Sequence, residues 1–199
     1  MNGKRNDELL IVGIGASAGG LSAMIDLLAV ASCHKSMCFV VVSHVSRFSE
    51  TELPHILGKV SNLEAVVIHE GLKPKSCLLY TIPPNSYVTL VEQTFHVSPR
   101  PEGVPNNCAD VFFDSLAKDV GHNAIGVILS GAKVGHDGAA GVKAIKEHRG
   151  HTFAQDPSTA TFKDMPEAAI DTGCVDIVLP PSLIGHELSL LSWVASVEN

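Results

Sequence analysis

A chain of 199 residues, 45% hydrophobic and 18% charged, has the length and composition of one globular domain with a sizeable core. Its formal net charge of −7 argues against a nucleic-acid partner or an anionic membrane surface. No apolar run approaches the roughly 18 residues of a membrane span. The opening MNGKRNDELL lacks the long apolar core of a signal peptide, so the expectation is a cytoplasmic protein without direct membrane insertion.

Taken in chain order, buried-strand patterns alternate with helical ones. LLIVGI (9–14) reads as a strand, and 19–31 carries helical apolar spacing through Leu21, Met24, Ile25 and Leu28. CFVVVSH (38–44) is a second strand, 50–59 a helix, and AVVIH (65–69) a third strand. The texture then changes. CLLYTIPPNSYVTLVEQTFHV (77–97) is broken by Pro-Pro-Asn and by Glu-Gln, as one or two antiparallel hairpins would be. After the loop SPRPEGVPNN come a helix at 109–120, a strand at 124–130, a helix near 139–148 and a strand at 151–155. A short helix at 166–172, a strand at 175–179 and a closing helix at 182–196 complete the chain. Uncharged, β-branched strands alternating with amphipathic helices predict an α/β protein with a largely parallel sheet covered on both faces.

The five cysteines are scattered and contain no CxxC pair, which points to neither a disulfide framework nor structural zinc. Cys33, His34 and Cys38 are the one trio with the makings of a metal half-site, and the expectation is that they are buried or helix-end residues. No metal and no cofactor is expected.

Sites in open parallel sheets form beyond the carboxyl ends of the strands. Three such ends carry chemistry. The first strand delivers Gly15-Ala16-Ser17-Ala18-Gly19-Gly20, the second ends in Ser43-His44, and 124–130 opens toward His136-Asp137-Gly138. A serine, a histidine and an aspartate on one edge suit a nucleophile, a general base and its orienting acid. The glycine-rich turn has the wrong spacing for a dinucleotide fingerprint and no acidic residue ends the second strand. No lysine follows Gly20, which excludes a phosphate-binding Walker loop. Gly15-x-Ser17-x-Gly19 on a strand-to-helix turn fits a nucleophile's cramped bend, with the Ala18 amide near an oxyanion. Bland readings stay open beside it: Ser17 as a cap of the following helix, His44 as a structural histidine, and Asp137 as the N-cap of the helix near 139.

GIGASAGGL, VVVSHVS, IPPN, ADVFFDSLA and the long run from AIGVILSGAKVGHDGAAG to VDIVLP closely resemble the catalytic domain of bacterial chemotaxis protein-glutamate methylesterases. The likeness runs in order from about residue 9 to 190. It implies a doubly wound fold, and hydrolysis of glutamate γ-methyl esters on the cytoplasmic helices of chemoreceptors, with release of methanol. Deamidation of receptor glutamines is a second activity it implies. The family's Ser-His-Asp triad falls by motif on Ser17, His44 and Asp137.

Departures from the family pattern are informative. The loop Ser130-Gly131-Ala132-Lys133-Val134-Gly135-His136-Asp137-Gly138 is two residues longer than usual, so the second oxyanion amide is assigned to Ala132, Lys133 or Val134. Tyr87 stands where the family has a histidine. Arg100, before ADVFF, is a candidate contact for the acidic receptor helix or an ordinary exposed arginine. About eight residues precede the first strand, so the expected organisation is one methylesterase domain over 1–199 without the family's receiver domain. The alternative is a catalytically impaired signalling or binding module of the same fold, and the altered Asp137 loop is what suggests it.

Overall fold

The computed structural model describes residues 9–32, 36–43, 52–103, 105–132 and 137–197. Its first strand, β1 (Leu10–Ala16), is apolar or glycine throughout and buried from Ile11 onward. A strand buried on both faces needs helical cover on both, which parallel crossovers supply. β1 pairs in parallel with β2 (Met37–Ser43) on one side and with β7 (Ala124–Ile128) on the other. Beyond β2 lie β4 (Leu78–Thr81) and the edge strand β3 (Glu64–Val67). Beyond β7 lie β8 (His151–Gln155) and β9 (Ile177–Leu179). The order is β3-β4-β2-β1-β7-β8-β9, and the winding reverses between β1 and β7.

Alternate side chains along the strands build two cores. Val12, Ile14, Phe39 and Val41 join Met24, Leu27 and Leu188 of helices α1 (Gly20–Leu28) and α6 (Pro181–Val197), with α2 (Glu52–Ser61) adding Leu57. Ile11, Val40 and Val42 join Phe112 and Phe113 of α3 (Cys108–Val120) and Val142 of α4 (Ala139–Glu147) on the opposite face. The short helix α5 (Asp164–Ile170) adds Met165 and Ala169 to this second core. No helix among the described residues is long and apolar enough to cross a membrane.

The separate two-stranded sheet is the hairpin β5 (Ser86–Val91) and β6 (Thr94–Pro99). Glu92 and Gln93 both take positive φ, 49° and 54°, the turn geometry that matches hairpin twist. Val88, Leu90 and Phe95 pack into the α3 side of the core, and the Leu90 amide donates to Ser115 Oγ at 3.0 Å.

The expected doubly wound, mainly parallel α/β architecture with an antiparallel hairpin is the fold observed, with its boundaries sharpened. Residues 78–81 belong to the parallel sheet, and Pro83-Pro84, which carry no amide hydrogens, separate them from the hairpin. β1 also runs two residues further than its apolar run, through Gly15 and Ala16. Cys38 is fully buried inside β2, while Cys33 and His34 lie outside the described residues.

Candidate active site

Gly13 and Gly15 are strand residues. A β-carbon at Gly13 would lie 2.6 Å from Phe113 Cε1, and one at Gly15 3.1 Å from Ala109 Cβ, so these positions let α3 close onto the sheet. Three residues, Ser17, Ala18 and Gly19, then carry the chain from β1 into α1. Gly19 has φ of 70°, left-handed backbone that a side chain resists, and this makes the sharp turn possible. Ser17 is half-buried and Ala18 exposed. The helix-cap reading of Ser17 does not hold: Gly19 occupies the cap position, and no side chain caps α1. Ser17 instead accepts the Gly20 N–H on its carbonyl, at 2.9 Å.

Sheet order brings the strand ends singled out from the sequence side by side. β2, β1 and β7 are consecutive neighbours, and Ser17 leaves the sheet beside the β1–β7 switch point, where doubly wound proteins bind their ligands. Ala16 pairs with Ser43, the residue that precedes His44. His44 itself lies outside the described residues, as do Lys133 and Val134. On the other side, Ser130 is 1% exposed and fully bonded. Its carbonyl accepts the Ser17 N–H at 3.0 Å, its hydroxyl donates to the Ala18 carbonyl at 3.0 Å and accepts the Phe162 N–H at 3.0 Å. Its own N–H donates to Gln155 Oε1 at 2.8 Å.

Asp137 is buried at the foot of α3. Its two carboxylate oxygens accept the N–H groups of Ala109, at 3.1 Å, and Asp110, at 2.9 Å. The alternative reading of Asp137 as the N-cap of the helix near 139 does not hold, because its carboxylate caps α3 instead. α4 begins after Gly138, which provides no side-chain cap, and Asp110 reaches across to supply one. Asp110 Oδ1 accepts the N–H groups of Gly138, at 2.9 Å, and Gly141, at 2.7 Å. Burial pushes the Asp137 carboxyl up to about 6, and the nearby Asp110 charge adds to the shift while the backbone bonds oppose it. Asp110 is raised as well, again chiefly by burial. At neutral pH Asp137 is thus ionised and able to stabilise an imidazolium.

The backbone at Gly138, directly after Asp137, lies close to the end of β7 and the start of α3. A β-carbon at Gly138 would lie 2.3 Å from Ile128 Cδ1 and 3.8 Å from Ala109 Cβ, the same two groups that crowd Gly15. Around this point Tyr87 donates to Asn107 Oδ1 at 2.5 Å, at the cap position of α3. Cys108 bonds Asn106 Oδ1 at 2.8 Å, and burial raises its thiol to about 11, so it is a packing thiol and not a nucleophile at neutral pH.

The amides of Ala18 and Ala132 are among those on this edge that donate to no acceptor among the described residues. The Gly131 amide is committed to the Phe162 carbonyl at 3.0 Å. A β-carbon at Gly131 would lie 3.1 Å from Ser17 Cβ, so the start of this loop lies directly against the serine. Arg100 is half-buried and lines a hollow with Ser43, Pro83, Pro84, Asn106 and Cys108, at the β2 end of the same edge.

Two supports went unnoticed in the sequence. Asp110 sits in the first turn of a helix, a position that suggests a local role, whereas the N–H groups its carboxylate accepts belong to Gly138 and Gly141 at the start of another helix. Gln155 ends β8 and gave no signal, because its partner Ser130 is distant in sequence.

These features define a class: a doubly wound α/β protein with a serine-bearing strand-to-helix turn at its switch point and a buried aspartate capping the helix that packs against the same strand. Residues 12–188 match the family model CheB methylesterase. A Leptospira interrogans protein, provisionally named protein-glutamate methylesterase/protein-glutamine glutaminase, is 35% identical over 178 residues, 87% of this chain and 89% of that one. A Burkholderia lata protein-glutamate methylesterase/protein-glutamine glutaminase is 32% identical over 186 residues, 92% of this chain and 55% of that one. The chain therefore spans about half the length of the Burkholderia relative. The Thermotoga maritima CheB methylesterase catalytic domain superposes with a TM-score of 0.82 at 26% identity, covering 92% of this chain and 98% of that one. The chain belongs to the CheB methylesterase family, a family of ester hydrolases.

Proposed function

We propose that this protein demethylates glutamate γ-methyl esters on the cytoplasmic helices of chemoreceptors, and deamidates receptor glutamines, as a cytoplasmic serine hydrolase of bacterial chemotaxis. The body built on the seven-stranded sheet is the catalytic unit. Ser17 Oγ attacks the side-chain carbonyl as His44 takes its proton, and Asp137 holds the imidazole in the required tautomer and stabilises its charge. The Ala18 amide and an amide of the loop after Gly131, Ala132 foremost, receive the oxyanion. Collapse of the tetrahedral intermediate expels methoxide, which leaves as methanol with the proton from His44. Water, deprotonated by the same histidine, then attacks the acyl-enzyme and frees the glutamate carboxylate and Ser17. For a glutamine substrate the leaving group is ammonia. Arg100, on the same edge, is placed to meet acidic side chains beside the ester.

One observation carries this reading: Ser17 sits in a left-handed turn at the switch point, flanked by the β2 end that leads to His44 and by the Gly131 backbone. Its test is methanol release from a methylated receptor fragment. Ser17→Ala is expected to release none while unfolding at the temperature of the parent protein, and an active-site phosphonate is expected to label Ser17. Parental turnover by Ser17→Ala, or labelling confined to other residues, overturns the proposal.

A further inference from the structure

The crossed caps at the foot of α3 and α4 have a consequence for catalysis. Asp137 carries two hydrogen bonds from the first turn of α3, and Asp110, in that same turn, carries two from the first turn of α4. The four bonds close a ring in which each helix is capped by the acid belonging to the other. Gly138 and Gly141 hang from Asp110, so the backbone next to Asp137 is anchored to the helix that its carboxylate grips. The two-residue lengthening precedes Asp137 in the sequence, and the backbone immediately after the aspartate is held by Asp110.

We propose that Asp110 is a positioning residue for the esterase: by capping α4 it fixes the backbone of Asp137 and so the direction in which that carboxylate faces His44. The inference rests on the triad reading. Two kinds of helix cap are exchanged in place of two local ones, and the exchange makes the placement of Asp137 depend on α3 and α4 staying together. Helix–cap bonds of this kind contribute to stability, but a merely stabilising cap leaves turnover unchanged once the protein is folded. A positioning role does not.

The chemistry of the two acids supplies a readout specific to this arrangement. Asp110 Oδ1 accepts the Gly138 and Gly141 bonds, so asparagine at 110 retains an oxygen able to accept both, while it removes the charge and turns the other carboxylate oxygen into an NH2 donor. The described titratable groups near Asp137 are Asp110 and Cys108 on α3 and Tyr87 on β5, with Arg100 beside the last two. Of these, Asp110 is the carboxylate whose charge opposes ionisation of Asp137.

The experiment compares kcat, KM and the pH profile of kcat for methanol release from a methylated receptor fragment, with thermal unfolding measured in parallel. Asp110→Ala is expected to lower kcat by roughly 10- to 100-fold with little change in KM, the size of effect that ångström-scale misplacement of a catalytic group produces. Asp110→Asn is expected to restore most of that kcat and to move the acidic limb of the profile to lower pH. Parental kcat in a folded Asp110→Ala, or an Asp110→Asn as slow as the alanine variant, overturns the proposal. Should Asp110→Ala fail to fold, Asp110→Glu decides, since it keeps the charge and displaces the accepting oxygen: a lowered kcat with little change in KM supports the proposal and a parental kcat overturns it. Ser17→Ala and Asp137→Ala serve as controls. If either turns over normally, the triad reading fails and this inference with it; if both are inactive while both Asp110 variants behave as the parent, only the inference fails.

Discussion

Ser130 holds both sides of the turn that presents Ser17, its carbonyl accepting the Ser17 N–H and its hydroxyl donating to the Ala18 carbonyl, each at 3.0 Å. The first bond extends the β1–β7 ladder one step past the strand. The second fixes the peptide plane between Ala18 and Gly19, and a third, from Phe162, ties in the segment leading to α5. A buried serine hydroxyl thus connects the turn at Ser17 to two other parts of the edge.

Ser130→Ala removes both hydroxyl bonds and leaves the Phe162 N–H without its acceptor. The expected cost is about 1–3 kcal/mol of stability. Because the Ala18 peptide loses its anchor, kcat for methanol release is also expected to fall in the folded protein. Denaturant unfolding and turnover at saturating substrate check the two effects separately. Parental values in both would show that the hydroxyl does not hold the turn.

Gly131→Ala places a β-carbon 2.0 Å from Met165 Sδ and 3.1 Å from Ser17 Cβ. Met165 is buried, so the clash has little room to relax, and overpacking of this kind costs about 1–3 kcal/mol. Displacement of Ser17 is expected to remove most of the activity. Truncating the obstacle gives a sharp check: Gly131→Ala/Met165→Ala is expected to be more stable than the sum of the two single changes predicts. Simple additivity would show that the two residues do not meet.

Gly19→Ala forces a side chain into left-handed backbone, a penalty of about 1–2 kcal/mol, and its β-carbon would lie 2.7 Å from Thr161 Cβ. Either the turn opens or α1 shifts, and both move Ser17. The expected outcome is a lower melting temperature together with slower phosphonate labelling of Ser17. Unchanged labelling would mean that the turn tolerates the strain without moving the serine.

Asp137 gives a pH dependence with a definite sign. Its carboxyl rises from an ordinary 3.8 to about 6 on folding, so between those values the folded state holds the proton more firmly than the unfolded chain. Its contribution to stability is therefore present at low pH and is lost as pH climbs through that window, by about 1.4 kcal/mol for each unit. Asp137→Asn lacks this dependence. The stability of the parent relative to Asp137→Asn is accordingly expected to fall as pH goes from 4 to 6 and then to level off, as measured by denaturant titration at each pH. Activity runs the opposite way, because only the ionised carboxylate stabilises an imidazolium, and kcat is expected to decline below about pH 6. A difference in stability that stays flat across the window would contradict the shift.

The sequence by itself carried the alternation of strands and helices, because burial on two faces writes uncharged β-branched runs such as CFVVVS, while helices write a 3.6-residue apolar spacing. It also placed Ser17, His44 and Asp137 at strand ends, since the residue types that perform acyl transfer stand out where an apolar run stops. Pairing between strands leaves no such mark. Nothing in residues 9–16 states that β1 has β2 on one side and β7, more than a hundred residues away, on the other, and that order is what makes three strand ends into one edge. Tertiary structure alone also decided which helix each acid caps. Spacing assigns Asp137 to the helix it precedes, but packing of α3 against α4 brings the amides of Ala109 and Asp110 within reach and leaves Asp110 to serve Gly138 and Gly141. The choice depends on the separation of two helices on a sheet face, where Phe113 of α3 lies against Gly13 and Gly126 of the sheet and Gly141 of α4.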